Sequence, residues 1–196
     1  ALRENLHKVG RIRRATFDFC QYSSRYDRFL AGERPNVFES SLGNASLMDL
    51  AVYCLHTCVA LFGEPEKLTA AASFLPNGTE AAGTMLLDYG EQQTTISYSK
   101  VTSSVHPSIV QGELGTLTFD TLNQPSYLRM LYRDGRTEEL FTPVKNNMVH
   151  ELNVFARMVA NGESTAEYDE QSLRVMRLLD EARRQIGIDF GAGEAL

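Results

Sequence analysis

The segment Leu47–Phe62 carries three polar residues at a spacing suited to chemistry, with Asp49, Tyr53 and His56 at i, i+4 and i+7. In an α-helix successive residues turn by about 100°, so these side chains fall within one narrow sector of the surface. A carboxylate, a phenol and an imidazole on one face are the groups that acid–base chemistry on a hydroxyl group uses. The spacing therefore predicts a helix with one polar face, on which Asp49 and Tyr53 are candidates for a substrate pocket.

Purely structural roles also account for Asp49 and Tyr53. The run from Ser46 to Asp49 fits the Ser/Thr-x-x-Asp/Glu capping box, in which Asp49 would accept a hydrogen bond from the Ser46 amide and do nothing else. Tyr53 fits an ordinary amphipathic side chain at the edge of a core. Spacing alone leaves Asp49 equally suited to either role and favours the structural role for Tyr53.

A metal site is not indicated by the cysteines and histidines. His56 lies about 200° around a 3.6-residue helix from Cys54, whereas Cys54 and Cys58 share the apolar face and are expected to be buried, inert thiols. His150 opens a His-Glu pair, but Val154 stands where the zinc signature His-Glu-x-x-His needs its second histidine. We therefore expect no metal ligands in this chain.

Glycine motifs exclude two further classes of chemistry. The chain has no P-loop, and its one G-x-G string, Gly191-Ala192-Gly193, lies at the carboxyl end without a βαβ unit around it. We therefore expect no cofactor-binding residues for a dinucleotide. A Gly-x-Ser-x-Gly elbow is also missing from the sequence, which argues against a serine hydrolase.

Composition indicates one globular domain. A chain of 196 residues, 43% hydrophobic and 22% charged, can bury a sizeable core. The net charge of −6 and the lack of a Lys/Arg cluster argue against nucleic acid as a partner.

The longest uncharged apolar stretch, Leu50–Gly63, is shorter than the roughly 20 residues of a membrane span. An odd count of three cysteines and a charged amino terminus without a signal peptide favour a cytoplasmic setting.

The elements around the polar helix begin with a strand. Arg11–Tyr22 alternates apolar and polar residues and predicts a half-buried strand with Ala15, Phe17 and Phe19 on one side. The segment Ser23–Ser46 keeps no period and predicts a long loop, which in a compact domain is often functional. The helix Leu47–Phe62 then ends at a glycine followed by a proline, the usual order of stop signals.

The middle of the chain predicts strands joined by turns. Asn77-Gly78 and Asp134-Gly135 are strong hairpin signals, because both central residues of such a tight turn tolerate positive φ. The strands predicted around these turns and between them are Lys67–Leu75, Glu80–Tyr89, Gln92–Val101, a pair within Ile109–Asp120 broken at Gly112 and Gly115, Tyr127–Arg133 and Thr137–Phe141.

Two helices close the chain, Asn147–Ala160 and Ala166–Gly187, the second with four apolar residues at helical spacing on one side, Leu173, Met176, Leu179 and Ala182. These elements predict an α+β domain with a largely antiparallel, open sheet and helices on one face. The other face is expected to be available for dimerisation or for a domain missing from this chain. The last residues, 191–196, are predicted to be a flexible tail.

The order of elements and several short strings resemble the carboxyl-terminal domain of the Gfo/Idh/MocA oxidoreductases, over nearly the whole chain. The resemblance is densest at Gly43–Pro65, which is similar to the family's glycine-rich turn, Leu-x-Asp-x-Gly-x-Tyr/His string and helix ending in Phe-Gly-x-Pro. It extends to Gly10–Ile12, to the Ile-x-Gly-x-x-Gly strand pair at Ile109–Leu117, and to the closing helices. With a tyrosine at position 53, the chain resembles most the branch of the family that carries tyrosine there, which includes dihydrodiol dehydrogenase and glucose-fructose oxidoreductase.

The resemblance implies roles for individual residues. Asp49 would contact the substrate or the nicotinamide ribose, and Tyr53 would donate or accept a proton. Its partner would be a lysine from a Glu-Lys-Pro motif in a nucleotide-binding domain that also binds NAD or NADP and is absent from this chain. Arg25 and Asn44 are the next candidates for substrate contacts.

The resemblance also implies a function for a longer parent protein. We expect NAD(P)-dependent hydride transfer on a sugar, polyol or related hydroxyl-bearing small molecule, by a homodimer or tetramer, with the isolated chain inactive. The alternative is a non-catalytic ligand-binding or dimerisation module. Its best support is the glycine-rich turn, where only Gly43 remains and Asn44 and Ala45 follow it, because alanine tolerates left-handed conformations poorly.

Overall fold

Residues 1–190 are described by the computed structural model, and the eight strands among them pair into one open sheet. Segment 191–196, which includes the G-x-G string and the predicted flexible tail, lies outside the described residues. The strands are β1 (Ile12–Cys20), β2 (Lys67–Phe74), β3 (Glu80–Asp88), β4 (Gln93–Ser99), β5 (Ser108–Gly112), β6 (Gly115–Phe119), β7 (Leu128–Tyr132) and β8 (Thr137–Glu139). Their order in the sheet is β2-β3-β4-β1-β5-β6-β7-β8.

The predicted loop Ser23–Ser46 is more ordered than its sequence indicated. The described helices are α1 (Leu2–Asn5), α2 (Tyr26–Leu30), α3 (Val52–Phe62), α4 (Met148–Asn161) and α5 (Ala166–Ile186), so α2 falls within this loop. Phe38 is 2% exposed, and its ring centroid lies 5.4 Å from that of Tyr26 and 5.3 Å from that of Phe29. The loop therefore has a small aromatic core that holds its backbone in place.

One pair of neighbouring strands sets the position of the candidate site. β1 and β4 run parallel, whereas the other neighbouring pairs of the described sheet are antiparallel. Carboxyl ends of parallel strands meet at the same edge, so Cys20 and Ser99 end side by side in register. The pairing continues beyond them, because the Gln21 N–H donates to the Ser99 carbonyl and the Ser23 N–H to the Lys100 carbonyl, both at 2.8 Å.

One face of the sheet forms the core. Ala15 and Phe17 are fully buried, as the alternation of β1 predicted, and Phe17 is in register with Ile96, which opposes Met85. On this face α3 packs on β1 and α5 on β2, while the 3-10 turn Leu6–Val9 covers β5, β6 and β7. The predicted α+β class, with a largely antiparallel open sheet and helices on one face, is confirmed.

The opposite face of the sheet keeps apolar side chains at its surface. Leu86, which alternates with the buried Met85 and Leu87, is 40% exposed, and so is Leu131 on β7. The register aligns the side chains of this face into a row of threonines and aliphatic residues across six strands, Thr69, Leu86, Thr95, Thr16, Ile109 and Thr118.

Both predicted hairpins are present, with longer turns than expected. At the first, the Gly78 N–H donates to the Leu75 carbonyl, and the Leu75 N–H donates to the Thr79 carbonyl, so three residues form the loop. In each turn only the glycine has a positive φ, +84° at Gly78 and +87° at Gly135, because no described residue other than glycine adopts one. Each three-residue loop therefore ends in a left-handed glycine, and positive φ is used at the glycine alone.

The buried side of α5 differs from the predicted one. Val175, Leu179 and Ala182 are buried, whereas Leu173 and Met176, predicted for the same side, are 57% and 44% exposed. Residues three apart advance by about 300°, so a run at i, i+3, i+6 and i+9 drifts by about 60° at each step and spans half of the helix. The prediction was wrong for these two residues because strict three-residue spacing leaves the core sector.

Among residues 1–190, one helical segment is long and apolar enough to cross a membrane. Within Ser40–Phe62 the most apolar window of 18 residues has a mean hydropathy of 1.6, and half of that window is buried inside the fold. Gly43, with a left-handed backbone at φ +75°, separates a 3-10 turn from the helix within this segment. The helix packs against the sheet and α5, as the core helix of a globular domain does.

Candidate active site

A polar pocket of about 340 Å³ opens at the sheet edge where β1 and β4 end. The structure brings Arg25, Asp49 and Tyr53 together there, as the sequence predicted for pocket residues, and adds Lys100, which the sequence analysis missed. The complete lining is Phe19, Gln21, Tyr22, Ser23, Ser24, Arg25, Val37, Asp49, Leu50, Tyr53, Lys100 and Asn123.

The helix that carries Asp49 begins without the predicted capping box. Ser46 has helical dihedral angles, φ −63° and ψ −34°, and its hydroxyl is buried without a hydrogen-bond partner. The carboxylate of Glu80 caps the helix instead, accepting a hydrogen bond from the Leu47 N–H at 2.9 Å and facing the Ser46 amide. The capping role considered for Asp49 is therefore wrong, and its carboxylate is available to the pocket.

The first turn of this helix is a π-turn, Leu47–Ala51, and α3 continues from it. Such wider turns are rare and occur often at functional sites. Asp49 lies in the middle of the π-turn and Tyr53 one turn later, and both line the pocket. The predicted helix Leu47–Phe62 thus exists, with an opening turn that the sequence pattern did not indicate.

Glu80 reaches the helix because of an irregularity in β3. The register of β2 with β3 shifts between Ser73 and Phe74, where Ala81 has no partner in the ladder. Such a bulge re-aims the side chains beyond it, and Glu80 is 2% exposed on the side of the helix. Burial raises the pKa of the Glu80 carboxyl above its usual range, against the opposing effects of the Leu47 and Ser46 amides and of Lys100.

Lys100 is the buried cation of the site. It is 3% exposed, and its Nζ lies 3.6 Å from Asp49 Oδ2 and donates to the Val37 carbonyl at 3.3 Å. Burial lowers the pKa of the Lys100 ammonium group, while Asp49 and Glu80 act in the opposite direction. A signal for Lys100 existed in the sequence, since it alternates with Ile96 and Tyr98, two large side chains suited to a core face.

Tyr53 is held beside the pocket by an aromatic contact. Its side chain is 49% exposed, and its ring packs edge-on against Phe19 with centroids 5.0 Å apart. His56 shares the same side of the helix and lines a shallow cavity with Asp49, Tyr53 and Leu122. Partial burial lowers the pKa of the His56 imidazole. The polar stripe that the spacing predicted is therefore present on one face.

Asn44 occupies a different position from the other predicted pocket residues. Its side-chain amide donates to the Asn36 carbonyl at 2.7 Å and thereby ties the loop to the start of the helix. The pocket lining does not include Asn44 in the described residues. Arg25, in contrast, lines the pocket from the loop after β1.

The cysteines on the helix are buried, as predicted. Cys54 and Cys58 are both fully inaccessible, and burial raises the pKa of each thiol far above its usual value. A thiol that stays protonated at neutral pH is a poor nucleophile and a poor metal ligand. These residues serve the core rather than the pocket.

A separate cavity, of about 480 Å³ and larger than the polar pocket at the ends of β1 and β4, is also lined by His56. It is lined mostly by apolar residues, among them Leu61, Phe119 and Leu128. The smaller pocket, in contrast, joins a carboxylate, a phenol and an ammonium group, and it lies where two parallel strands end. We therefore take the smaller pocket as the candidate active site.

The described residues thus form an open α+β sheet with a polar pocket at the ends of its two parallel strands. Residues 5–118 match the profile of the GFO/IDH/MocA C-terminal domain. The chain belongs to this family of oxidoreductases, and the resemblance inferred from its motifs is confirmed.

Three known proteins illustrate the relationship. The chain is 39% identical over 197 residues to scyllo-inositol 2-dehydrogenase (NADP(+)) IolU of Bacillus subtilis, covering 99% of this chain and 60% of that protein. It is 25% identical over 170 residues to trans-1,2-dihydrobenzene-1,2-diol dehydrogenase of Mus musculus, covering 80% of this chain and 50% of that protein. The fold matches KijD10, a 3-ketoreductase from Actinomadura kijaniata in complex with NADP and TDP-benzene, at TM-score 0.79 and 18% identity over 94% of this chain and 57% of that one.

The chain thus spans 60% of the length of the Bacillus subtilis relative and 50% of the mouse relative.

Proposed function

We propose that this chain is the substrate-binding and oligomerisation domain of an NAD(P)-dependent oxidoreductase that acts on a sugar, a polyol or a related hydroxyl or carbonyl compound. The observation that supports this most directly is the pocket itself, where Asp49, Tyr53 and Lys100 meet within a lining of amides and hydroxyls. Such groups hydrogen-bond a molecule rich in hydroxyl groups. Two relatives named above act with NADP or bind it, and one of them acts on an inositol.

In this proposal Tyr53 exchanges a proton with the reacting hydroxyl group. Its phenol is half-exposed and fixed by the Phe19 ring, so it can reach a bound substrate without first reorganising. Asp49 accepts a hydrogen bond from a substrate hydroxyl, and Arg25 contacts the substrate from the pocket rim. Asn44 remains a predicted substrate contact, and its bond to Asn36 gives it in addition a place in ordering the loop.

The hydride acceptor or donor is NAD or NADP, and we assign its binding mainly to a separate nucleotide-binding domain. No glycine-rich strand–turn–helix unit occurs in this sequence with which to hold a pyrophosphate. Hydride transfer needs the nicotinamide of this cofactor in place beside the substrate. We therefore expect this chain alone to be inactive and the complete protein to be a cytoplasmic enzyme.

Two exposed apolar surfaces support partners for this domain. One is the helix-free face of the sheet around Leu86 and Leu131, which we propose pairs with a second subunit. The other is one side of α4, where Leu152, Phe155 and Val159 are each more than 60% exposed. Large apolar side chains grouped on a surface mark contacts with other chains or domains.

The alternative, a non-catalytic module, loses its best support. That support was the turn after Gly43, where Asn44 and Ala45 replace glycines. Gly43 alone has positive φ there, at +75°, and Ala45 is 1% exposed within the core. The altered turn is therefore formed without strain and does not indicate that the pocket has lost its chemistry.

The test is turnover of scyllo-inositol by the full-length protein with NADP⁺ and, separately, with NAD⁺. Replacing Tyr53 by Phe should lower kcat by about 100-fold or more, the usual contribution of a general acid or base. Tyr168→Phe is the matched control, because this tyrosine is similarly exposed, at 51%, on the outer helix α5. An unchanged kcat in Tyr53→Phe would remove Tyr53 from catalysis, and a wild-type protein inactive on polyols and sugars would refute the proposed function.

A further inference from the structure

We propose that Lys100 is a positioning residue of this active site, whose ammonium group holds the Asp49 carboxylate in the pocket. The inference rests on the proposed function and deepens it. It assigns a role to a residue that neither the motifs nor the comparisons single out, and it explains how an exposed aspartate keeps one orientation.

The position of Lys100 is set by the backbone of β4. Ile96, Tyr98 and Lys100 alternate onto the core face, and Lys100 stands just after the last residue of the strand. Its side chain is 4% exposed and runs beneath the first turn of the helix, where Nζ reaches Asp49 Oδ2 at 3.6 Å. Lysine is almost never buried to this degree unless it is paired, so the contact accounts for its burial.

Asp49 needs such a contact. Its side chain is 64% exposed, and a surface aspartate without a partner populates several rotamers. The ammonium group of Lys100 engages Oδ2 from the strand side and is itself anchored by the Val37 carbonyl. We assign the remaining oxygen, Oδ1, to the substrate hydroxyl group.

Lys100 interacts with a second carboxylate, that of Glu80, as well as with Asp49. Glu80 lies close enough to Lys100 for their charges to interact, is 2% exposed, and is fixed by the Leu47 N–H. The cation therefore stands between a buried carboxylate that begins the helix and an exposed carboxylate that lines the pocket. Removing Lys100 leaves Glu80 without its counter-charge, so a stability effect is expected whether or not Lys100 positions Asp49.

The experiment must therefore separate positioning from stability. In the full-length protein we would compare wild type, Lys100→Met, Asp49→Asn and the double variant, measuring kcat and KM for scyllo-inositol with NADP⁺. A second pair of variants is Glu80→Gln and Glu80→Gln/Lys100→Met. The double variant has neither buried charge, so it does not leave Glu80 without its counter-charge and allows the effect of Lys100→Met to be measured in a folded protein. Lys67→Met is the control, since this lysine is exposed at the start of the edge strand β2.

We expect Lys100→Met to lower kcat/KM by about 10- to 100-fold, mostly through KM, as the loss of a hydrogen bond to a charged group does. In the Asp49→Asn background the same change should cost no more than about 3-fold, because the contact it supports is already lost. The same dependence on Asp49 should persist when Glu80 is glutamine.

Equal losses in both Asp49 backgrounds would overturn the positioning role while leaving the proposed function intact. So would a Lys100→Met enzyme as active as wild type. A wild-type protein without activity on sugars and polyols would instead overturn the proposed function, and this role for Lys100 with it.

Discussion

Replacing the buried Glu80 by leucine or by glutamine tests how the polar helix is held at the pocket. The Glu80 carboxylate is 2% exposed and accepts the Leu47 N–H at 2.9 Å. Glutamine keeps an oxygen that can accept this hydrogen bond and removes the charge. Leucine removes both the acceptor and the charge. The two variants therefore lose the same electrostatic interaction with Lys100 and differ in the helix cap.

The difference between the variants can be given a magnitude. A buried donor left without an acceptor costs about 1–3 kcal/mol, so Glu80→Leu should be about 2 kcal/mol less stable than Glu80→Gln. In a domain of this size 1 kcal/mol shifts Tm by about 2–4 °C. The leucine variant should therefore unfold about 6 °C below the glutamine variant.

The wild-type protein should also differ from Glu80→Gln in its response to pH. Burial raises the pKa of the Glu80 carboxyl above its ordinary value of 4.5, so the folded state binds more protons than the unfolded state in the window above that value. The corresponding stability is present below pH 4.5 and is lost as the pH rises through the folded-state pKa. Glutamine does not titrate, so the stability of wild type relative to Glu80→Gln should fall from about pH 4.5 to neutrality.

Thermal and urea unfolding followed by far-ultraviolet circular dichroism measure both effects. Glu167→Gln and Glu167→Leu are the matched controls, because this glutamate is exposed in the first turn of α5. Equal Tm values for the two Glu80 variants would refute the cap. A difference between wild type and Glu80→Gln that stays constant or grows with pH would refute the reasoning on burial.

Two further predictions concern the packing around the pocket. Gly83→Ala should lower the free energy of unfolding by about 1–3 kcal/mol, because its Cβ would collide with the Tyr98 hydroxyl, and an unchanged urea midpoint would contradict this. Phe19→Ala should lower kcat/KM by about 5-fold, because it removes the ring 5.0 Å from that of Tyr53. Phe74→Ala, 45% exposed at the end of β2, should leave turnover unchanged, and equal losses in both variants would argue against the contact.

Local patterns predicted most of the fold. The alternation in Arg11–Tyr22 placed Ala15 and Phe17 in the core, and the glycine turns placed both hairpins, because these features depend on residues close together in the chain. The face of α5 was less predictable. Leu173 is apolar and yet exposed, since burial depends on which sector meets β2 and α3.

The part of the candidate site that lies on one helix was predictable, because it depends on residues close together in the chain. The i, i+4 spacing put Asp49 and Tyr53 on one side of a helix before any tertiary contact was known. It could not decide between a cap and a pocket residue for Asp49, because the true cap, Glu80, is more than 30 residues away and reaches the helix through a bulge in β3.

Sequence by itself determined the α+β class, the polar stripe on the helix and the resemblance to an oxidoreductase family, because periodicity, turn chemistry and motifs are properties of the local chain. Tertiary structure alone decided that β4 lies parallel to β1 and delivers Lys100 beneath the helix. Pairing between distant strands depends on how the whole sheet buries its apolar face, and no local pattern encodes that choice. Alternation along β4 puts Lys100 on the core face, but its contact with Asp49 could be seen only once the strands were paired.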